Sequence, residues 1–268
     1  MKQIINFLDK VKTMIRRPKS ARIPMEPQSG ANLITMLQPH SHEAEQFKML
    51  TANIENYHFR DMAQGGKTIF APPPRVIMVT STSPGEGKSF VAANLAISIA
   101  QNTDKHVLLI DGDLRSPSIH TYFGYKNVKG LSDYLCKKAR LSSLFLKPGV
   151  GNLTVLPAGK VRNNSYKLLS SSRMTSLIRG LQAKCRDLYI IIDTAPPKLV
   201  AETKVIAELV DGIALTVNHN KTNHDDITDL LNMLGRKKVI GFIMNRYEHP
   251  LKKYGYGKET YYSQAECA

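Results

Sequence analysis

Between Val76 and Ser89 the chain reads VIMVTSTSPGEGKS. A run rich in Val and Ile stops at a stretch of small residues, and the loop closes on Gly87-Lys88-Ser89. Beyond it Val91, Leu95 and Ile99 recur at helical spacing. Strand, glycine loop and helix in this order form the arrangement that cradles phosphate. Glycine lets backbone N–H groups close around phosphate oxygens, and the helix N-terminus adds partial positive charge. Gly85, Glu86, Gly87, Lys88, Ser89 and Phe90 are therefore the candidate nucleotide-binding residues. Lys88 is expected to reach the β- and γ-phosphates of a bound nucleotide, and the Ser89 hydroxyl to hold Mg²⁺. Thr82 stands where the general pattern begins with glycine, so the flanking strand and helix carry much of the inference.

Further along, apolar strands alternate with helical patterns. Strands are predicted at 76–81, 106–111, 153–156, 188–193, 212–217 and 239–244, and helices at 88–101, 166–184, 202–209 and 223–235. Continuously apolar strands separated by helices imply an α/β fold: a P-loop NTPase-like, mostly parallel sheet with helices on both faces. No internal repeat is visible.

Two more strands end in acids. VLLIDGDLR delivers Asp111, Asp113 and Arg115, and YIIIDTAPP delivers Asp193. Ligands of open α/β sheets sit beyond the carboxyl ends of the strands. Carboxylates there can position Mg²⁺ and take a proton from an attacking hydroxyl. Lys88, Asp111, Asp113 and Arg115 are the catalytic candidates; Ser89, Asp111 and Asp193 are the candidate metal ligands. The histidines show no paired ligand spacing, and no G-x-S-x-G elbow marks a hydrolase. Cys136, Cys185 and Cys267 are too far apart for a zinc site or a redox pair, and read as free thiols of a reducing compartment.

The ends differ from this body. In residues 1–20, Ile4, Phe7, Leu8, Val11, Met14 and Ile15 occupy one side of a helical pattern and Lys2, Lys12, Arg16, Arg17 and Lys19 the rest. Such a helix suits an anionic membrane surface or packing on the body or a partner. Residues 18–40 contain Pro18, Pro24, Pro27 and Pro39 and read as a linker, giving a first segment of 1–40. The body is placed at 41–246, opening on a helix over 41–60 capped by Ser41, with a break at 64–74. The remainder, 247–268, holds five of the eleven tyrosines among glycines and lysines, with little apolar material to bury them. It is expected to be a mobile tail, either a phosphoryl acceptor or a partner-binding segment.

Lys and Arg number 37 against 22 Asp and Glu, a net charge of +15. That balance favours anionic partners. No zinc finger, RNA-binding aromatic signature or compact recognition helix is present, so nucleic acid is not an expected partner. No apolar run is long enough to span a bilayer, and no secretory cleavage pattern is visible.

With SPGEGKS, LLIDGDLR, YIIIDTAPP and a tyrosine-rich end in this order, residues 41–262 resemble the bacterial tyrosine kinases of exopolysaccharide and capsule synthesis. The resemblance implies Walker A at Gly85, Gly87, Lys88 and Ser89, a Walker A′ with Asp111, Asp113 and Arg115, and a Walker B acid at Asp193. It implies that Asp111 or Asp113 activates the phenol, and that Tyr254, Tyr256, Tyr261 and Tyr262 are autophosphorylation sites. It further implies ATP and Mg²⁺ as cofactors, a homo-oligomeric ring, a cognate phosphatase, and a membrane-embedded chain-length regulator or polysaccharide co-polymerase as activator. The expected location is cytoplasmic, at the inner face of the plasma membrane. The family's oligomerisation motif Glu-x-x-Arg-x-x-Arg is here Glu45, Lys48 and Thr51, which counts against ring closure.

Two alternatives stay open. A positioning ATPase of the MinD/ParA type shares the loop but carries an early lysine where Ser83 stands. A non-catalytic nucleotide-binding regulator of polysaccharide export would also retain the motifs.

Overall fold

The computed structural model describes residues 33–57, 60–62, 68–70, 72–160, 164–219 and 221–247. The amphipathic pattern of 1–20 and Tyr254, Tyr256, Tyr261 and Tyr262 lie outside the described residues.

Six strands build the sheet: β3 (Val76–Ser81), β4 (His106–Asp111), β5 (Leu153–Leu156), β6 (Leu188–Asp193), β7 (Gly212–Asn218) and β8 (Val239–Asn245). Their order is β5-β4-β6-β3-β7-β8, and every neighbouring pair is parallel. All six lie where the apolar runs predict; the five from β3 to β7 are buried on both faces, which needs unbroken apolar residues, whereas β8 at the sheet edge leaves Phe242 and Met244 exposed. Successive residues alternate between two cores. Met78, Leu108 and Ile190 face one, and Ile77, Leu109 and Ile191 face the other.

The second core is covered by α3 (Lys88–Asn102), which is buried on nearly every side. The outer layer over it is α1 (Ile34–Leu37) and α2 (His42–Glu55). Ser41 caps α2 as predicted, its Oγ accepting from the Ala44 N–H at 3.1 Å. The helix stops at Glu55, short of the predicted 60, where the Asn56 side chain donates to the Ala52 carbonyl. Residues 33–37, predicted as linker, are packed instead. Leu33 is fully buried, and the Thr35 N–H donates to Asn94 Oδ1 on α3 at 3.0 Å. Asn94 and Ser98 supply the reason: two polar side chains inside an apolar helix need partners, and the outer layer provides them.

Before the sheet, β1 (Arg60–Met62), which starts on the last residue of the helix predicted over 41–60, and β2 (Thr68–Phe70), inside the break predicted at 64–74, form an antiparallel pair. The short helices α4 (Ile119–Tyr122) and α5 (Leu131–Leu135) were not predicted, since four or five residues display no periodicity. A single helix is predicted over 166–184, but the chain forms α6 (Ser165–Leu169) and α7 (Ser172–Lys184). Ser170 and Ser171 make the break. Their hydroxyls donate to the Tyr166 and Leu168 carbonyls, and Ser171 Oγ then accepts from the Met174 N–H. The first core is completed by α8 (Glu202–Leu209) and α9 (His224–Leu234).

Candidate active site

The loop between β3 and α3 needs left-handed backbone twice: φ is 77° at Gly85 and 92° at Gly87. Gly87 is doubly constrained, because a Cβ there would lie 2.0 Å from Asn245 Nδ2. The Asn245 amide donates to the Glu86 carbonyl at 2.9 Å, so the end of β8 holds this loop from outside. Asn245 was missed in the sequence. The same signal that marks Asp111 and Asp193, an apolar strand delivering a polar residue to its carboxyl end, applies to it; the predicted strand stopped one residue short.

The Glu86 side chain is turned into the protein and leaves only its backbone at the loop surface to meet a phosphate, if one binds. Its carboxylate is buried and accepts from Thr82 Oγ1 at 3.1 Å, from the Ser83 N–H at 2.9 Å, and from Thr222 Oγ1. It staples the loop shut on itself. The Phe90 ring likewise turns away, packing edge-on against Phe47 of α2 with centroids 5.9 Å apart.

Lys88 and Ser89 begin α3. Burial lowers the Lys88 pKa, opposed by the negative charges of Asp193, Asp113 and Glu86. The Ser89 hydroxyl donates to Asp193 Oδ2 at 2.5 Å, and Ser118 Oγ donates to Ser89 Oγ at 2.9 Å. The loop is thereby joined to the carboxyl end of β6.

Asp111 and Asp193 face each other across the β4–β6 ladder, paired in register at the ends of both strands. Both are buried. Close approach here depends on Gly112, whose N–H donates to the Asp193 carbonyl at 2.8 Å and whose Cβ would meet that oxygen at the same distance. Asp111 Oδ2 accepts from the Ser118 and Ile119 N–H groups, both at 3.1 Å, and Oδ1 from the Asp113 N–H at 3.2 Å. Burial, then the neighbouring Asp193 charge, pushes the Asp111 carboxyl well above the usual carboxylate range. Burial also raises Asp193 to about 7, although the Ser89 hydroxyl and Lys88 pull it down. Asp193 Oδ1 is buried without a hydrogen-bond partner. Two crowded carboxylates, one with an oxygen left over, fit a divalent cation.

Asp113 lies at the mouth, half-buried, with Oδ1 accepting from the Arg115 and Ser116 N–H groups at 3.1 and 2.9 Å. Arg115 extends sideways. Its Nε donates to Glu202 Oε1 at 2.8 Å, and Ser165 Oγ donates to the same oxygen. Burial pushes the Glu202 carboxyl up, but the Ser165 hydroxyl and Arg115 outweigh it and hold it below the usual range. Glu202, Ser165, Ser118 and Thr222 carry no motif signal; they come from loops and helix starts far apart in the chain.

Lys88, Ser89, Asp111, Asp113 and Asp193 thus converge beyond three strand ends. Cation, hydroxyl and carboxylates in this grouping can hold a triphosphate with its metal and accept a proton beside it.

Residues 77–257 match the CobQ/CobB/MinD/ParA nucleotide binding domain. Tyrosine-protein kinase YwqD of Bacillus subtilis (strain 168) is 35% identical over 216 residues, which are 80% of this chain and 85% of that protein. Tyrosine-protein kinase CpsD of Streptococcus agalactiae is 32% identical over 69% of this chain and 82% of its own length. The kinase domain of Escherichia coli tyrosine kinase ETK superposes with a TM-score of 0.68 at 26% identity, covering 94% of this chain and 91% of that one.

Proposed function

The chain belongs to the CobQ/CobB/MinD/ParA nucleotide-binding family and, within it, to the bacterial tyrosine kinases, and from that premise we propose that it phosphorylates tyrosines of its own C-terminal segment with Mg·ATP and thereby regulates exopolysaccharide or capsule assembly. The observation that carries the chemistry is the Ser89–Asp193 hydrogen bond of 2.5 Å beside the unpartnered Asp193 Oδ1. One hydroxyl and one carboxylate, completed by phosphate oxygens and water, is the protein share of a Mg²⁺ site in phosphoryl transfer.

Lys88 offsets charge on the β- and γ-phosphates, and backbone N–H groups of Gly85 to Phe90 receive their oxygens. Ser89 and Asp193 would hold Mg²⁺, with Asp111 paired beside Asp193 at the adjoining strand end. The metal, when bound, neutralises charge on the transferring group. Asp113 is the carboxylate that an incoming phenol meets, since Asp111 is fully buried. The phenol oxygen bonds to the γ-phosphorus, the bond to the ADP oxygen breaks, and the phenol proton passes to Asp113. Arg115, more than half exposed and paired with the buried Glu202, follows two residues after Asp113. The acceptors are Tyr254, Tyr256, Tyr261 and Tyr262.

Its proposed setting is the cytoplasmic face of the plasma membrane, activated by a membrane-embedded polysaccharide co-polymerase and reversed by a tyrosine phosphatase. No helix among the described residues is long and apolar enough to cross a membrane. A positioning ATPase is disfavoured by Ser83, whose N–H is bound to Glu86 where an early lysine would be required.

Intact mass after incubation with Mg·ATP, followed by peptide mapping, tests the reading. Phosphate is expected on the tail tyrosines of the wild-type chain and absent from Lys88→Ala. ATP turnover with an unmodified tail would reject it.

A further inference from the structure

From Tyr134 to Arg186 the chain contains eleven Lys and Arg and no Asp or Glu. Just upstream, Asp133 is buried, its carboxylate accepting from the Gly130 N–H at 3.0 Å. Its carboxylate is turned inward rather than toward solvent. Folding places six of the basic residues on or beside α5, α6 and the start of α7. Lys137, Lys138 and Arg140 follow directly on α5. Arg173, at the start of α7, donates from Nε to the Tyr134 carbonyl at 2.9 Å and lies 4.1 Å over the Tyr134 ring. Lys160 is fixed to α5 through its carbonyl, which accepts from Ser132 Oγ at 3.2 Å. Lys167 is on α6, packed against α5. Lys137, Lys138, Arg140, Lys160 and Lys167 are all exposed.

Two further observations mark this face. Lys137 has φ of 60°, a left-handed conformation that Gly or Asn adopts more easily. The chain ends α5 with a cation where a glycine would relax the backbone. Beside Lys167, the Tyr166 ring is 51% exposed. An amphipathic aromatic among lysines is the composition of a protein surface lying on lipid headgroups.

We propose that the face formed by α5, α6 and the start of α7 docks on a bilayer of anionic phospholipid. The cations come from several elements across an open surface, which suits a broad charged plane better than a single acidic peptide. Each cation at such a surface adds attraction that salt screens. The inference rests on the membrane-proximal setting proposed above, but it is read by vesicle binding, independently of phosphotyrosine.

The full chain is sedimented with vesicles of phosphatidylcholine alone, or of phosphatidylcholine with phosphatidylglycerol, at low and high salt. Binding is expected only to the anionic vesicles, and lost at high salt. The variant Lys137→Gly with Lys138→Gln, Arg140→Gln and Lys167→Gln removes four cations while placing glycine at the left-handed position. It should melt no lower than wild type, keep its phosphotyrosine signal, and bind at least about tenfold more weakly. A second variant, Lys160→Gln with Lys167→Gln, leaves that turn untouched and should weaken binding to a smaller extent. Lys12→Gln with Arg16→Gln and Arg17→Gln separates the N-terminal pattern, and should weaken binding less than the four-site variant. Wild-type binding by both patch variants overturns the proposal. So does failure of wild type to bind anionic vesicles, including the case in which it is retained by polyglutamate instead.

Discussion

Asp193 carries an ionisation that opposes folding until a cation arrives. In chelator, its native pKa of about 7 lies above the 3.8 of an ordinary aspartate. The native state therefore holds a proton through that window that the unfolded chain has released. Stability from this group is complete below the ordinary value and is lost as pH rises through about 7. The slope is at most about 1.4 kcal/mol per pH unit. Thermal melts in EDTA should thus show the wild-type chain losing stability across this range relative to Asp193→Asn. The variant should be the more stable of the two at the alkaline end, and should lose the stabilisation that Mg·ATP gives wild type. Equal pH profiles would show that the carboxylate is not held in this environment. At the same scale, Asp111, Asp193, Lys88 and Ser89 were legible because each ends a strand or opens a helix. Glu86 was legible as a loop residue but not as a staple, since its partner Thr222 is 136 positions away. No local pattern encodes a contact of that separation.

Among the elements, α2 is held by its buried side. Phe47 packs on Phe90, and Thr51 Oγ1 donates to the Phe47 carbonyl and shares a hydroxyl–hydroxyl hydrogen bond with Ser98 Oγ, each at 2.9 Å. Phe47→Ala should destabilise by roughly 3–5 kcal/mol, read from denaturant midpoints. Lys48→Ala, whose partner Glu45 is 2.6 Å away on a half-exposed face, should change stability by less than about 1 kcal/mol. The strands from β3 to β7 were legible as elements because burial on both faces forces unbroken Val, Ile and Leu; β8 was legible by its apolar run although one side of it stays exposed. The helix predicted over 166–184 was not, because its period continues through Ser170 and Ser171 while their hydroxyls compete for the backbone. Leu33 to Leu37 was hidden by its prolines' company; only the polar Asn94 within α3 hints that something must cover it.

For the whole molecule, the position of Thr51 bears on assembly. It stands where the resemblance places the last arginine of an oligomerisation motif, and it is buried against α3. Its side chain is committed to its own subunit and offers nothing to a neighbour. Sedimentation velocity of the isolated chain is expected to show monomer or weak association at micromolar concentration; a stable ring would contradict it. The exit of the chain from the sheet has its own consequence. Asn245 grips the Glu86 carbonyl, its own carbonyl accepts from the His219 N–H, and two residues later the Tyr247 ring meets the His219 ring at 4.9 Å. The leash that leads to the tyrosines and the latch on the phosphate loop are therefore one continuous piece of backbone. A pull on the former would reach His219 first, through Tyr247, and the latter next, through Asn245.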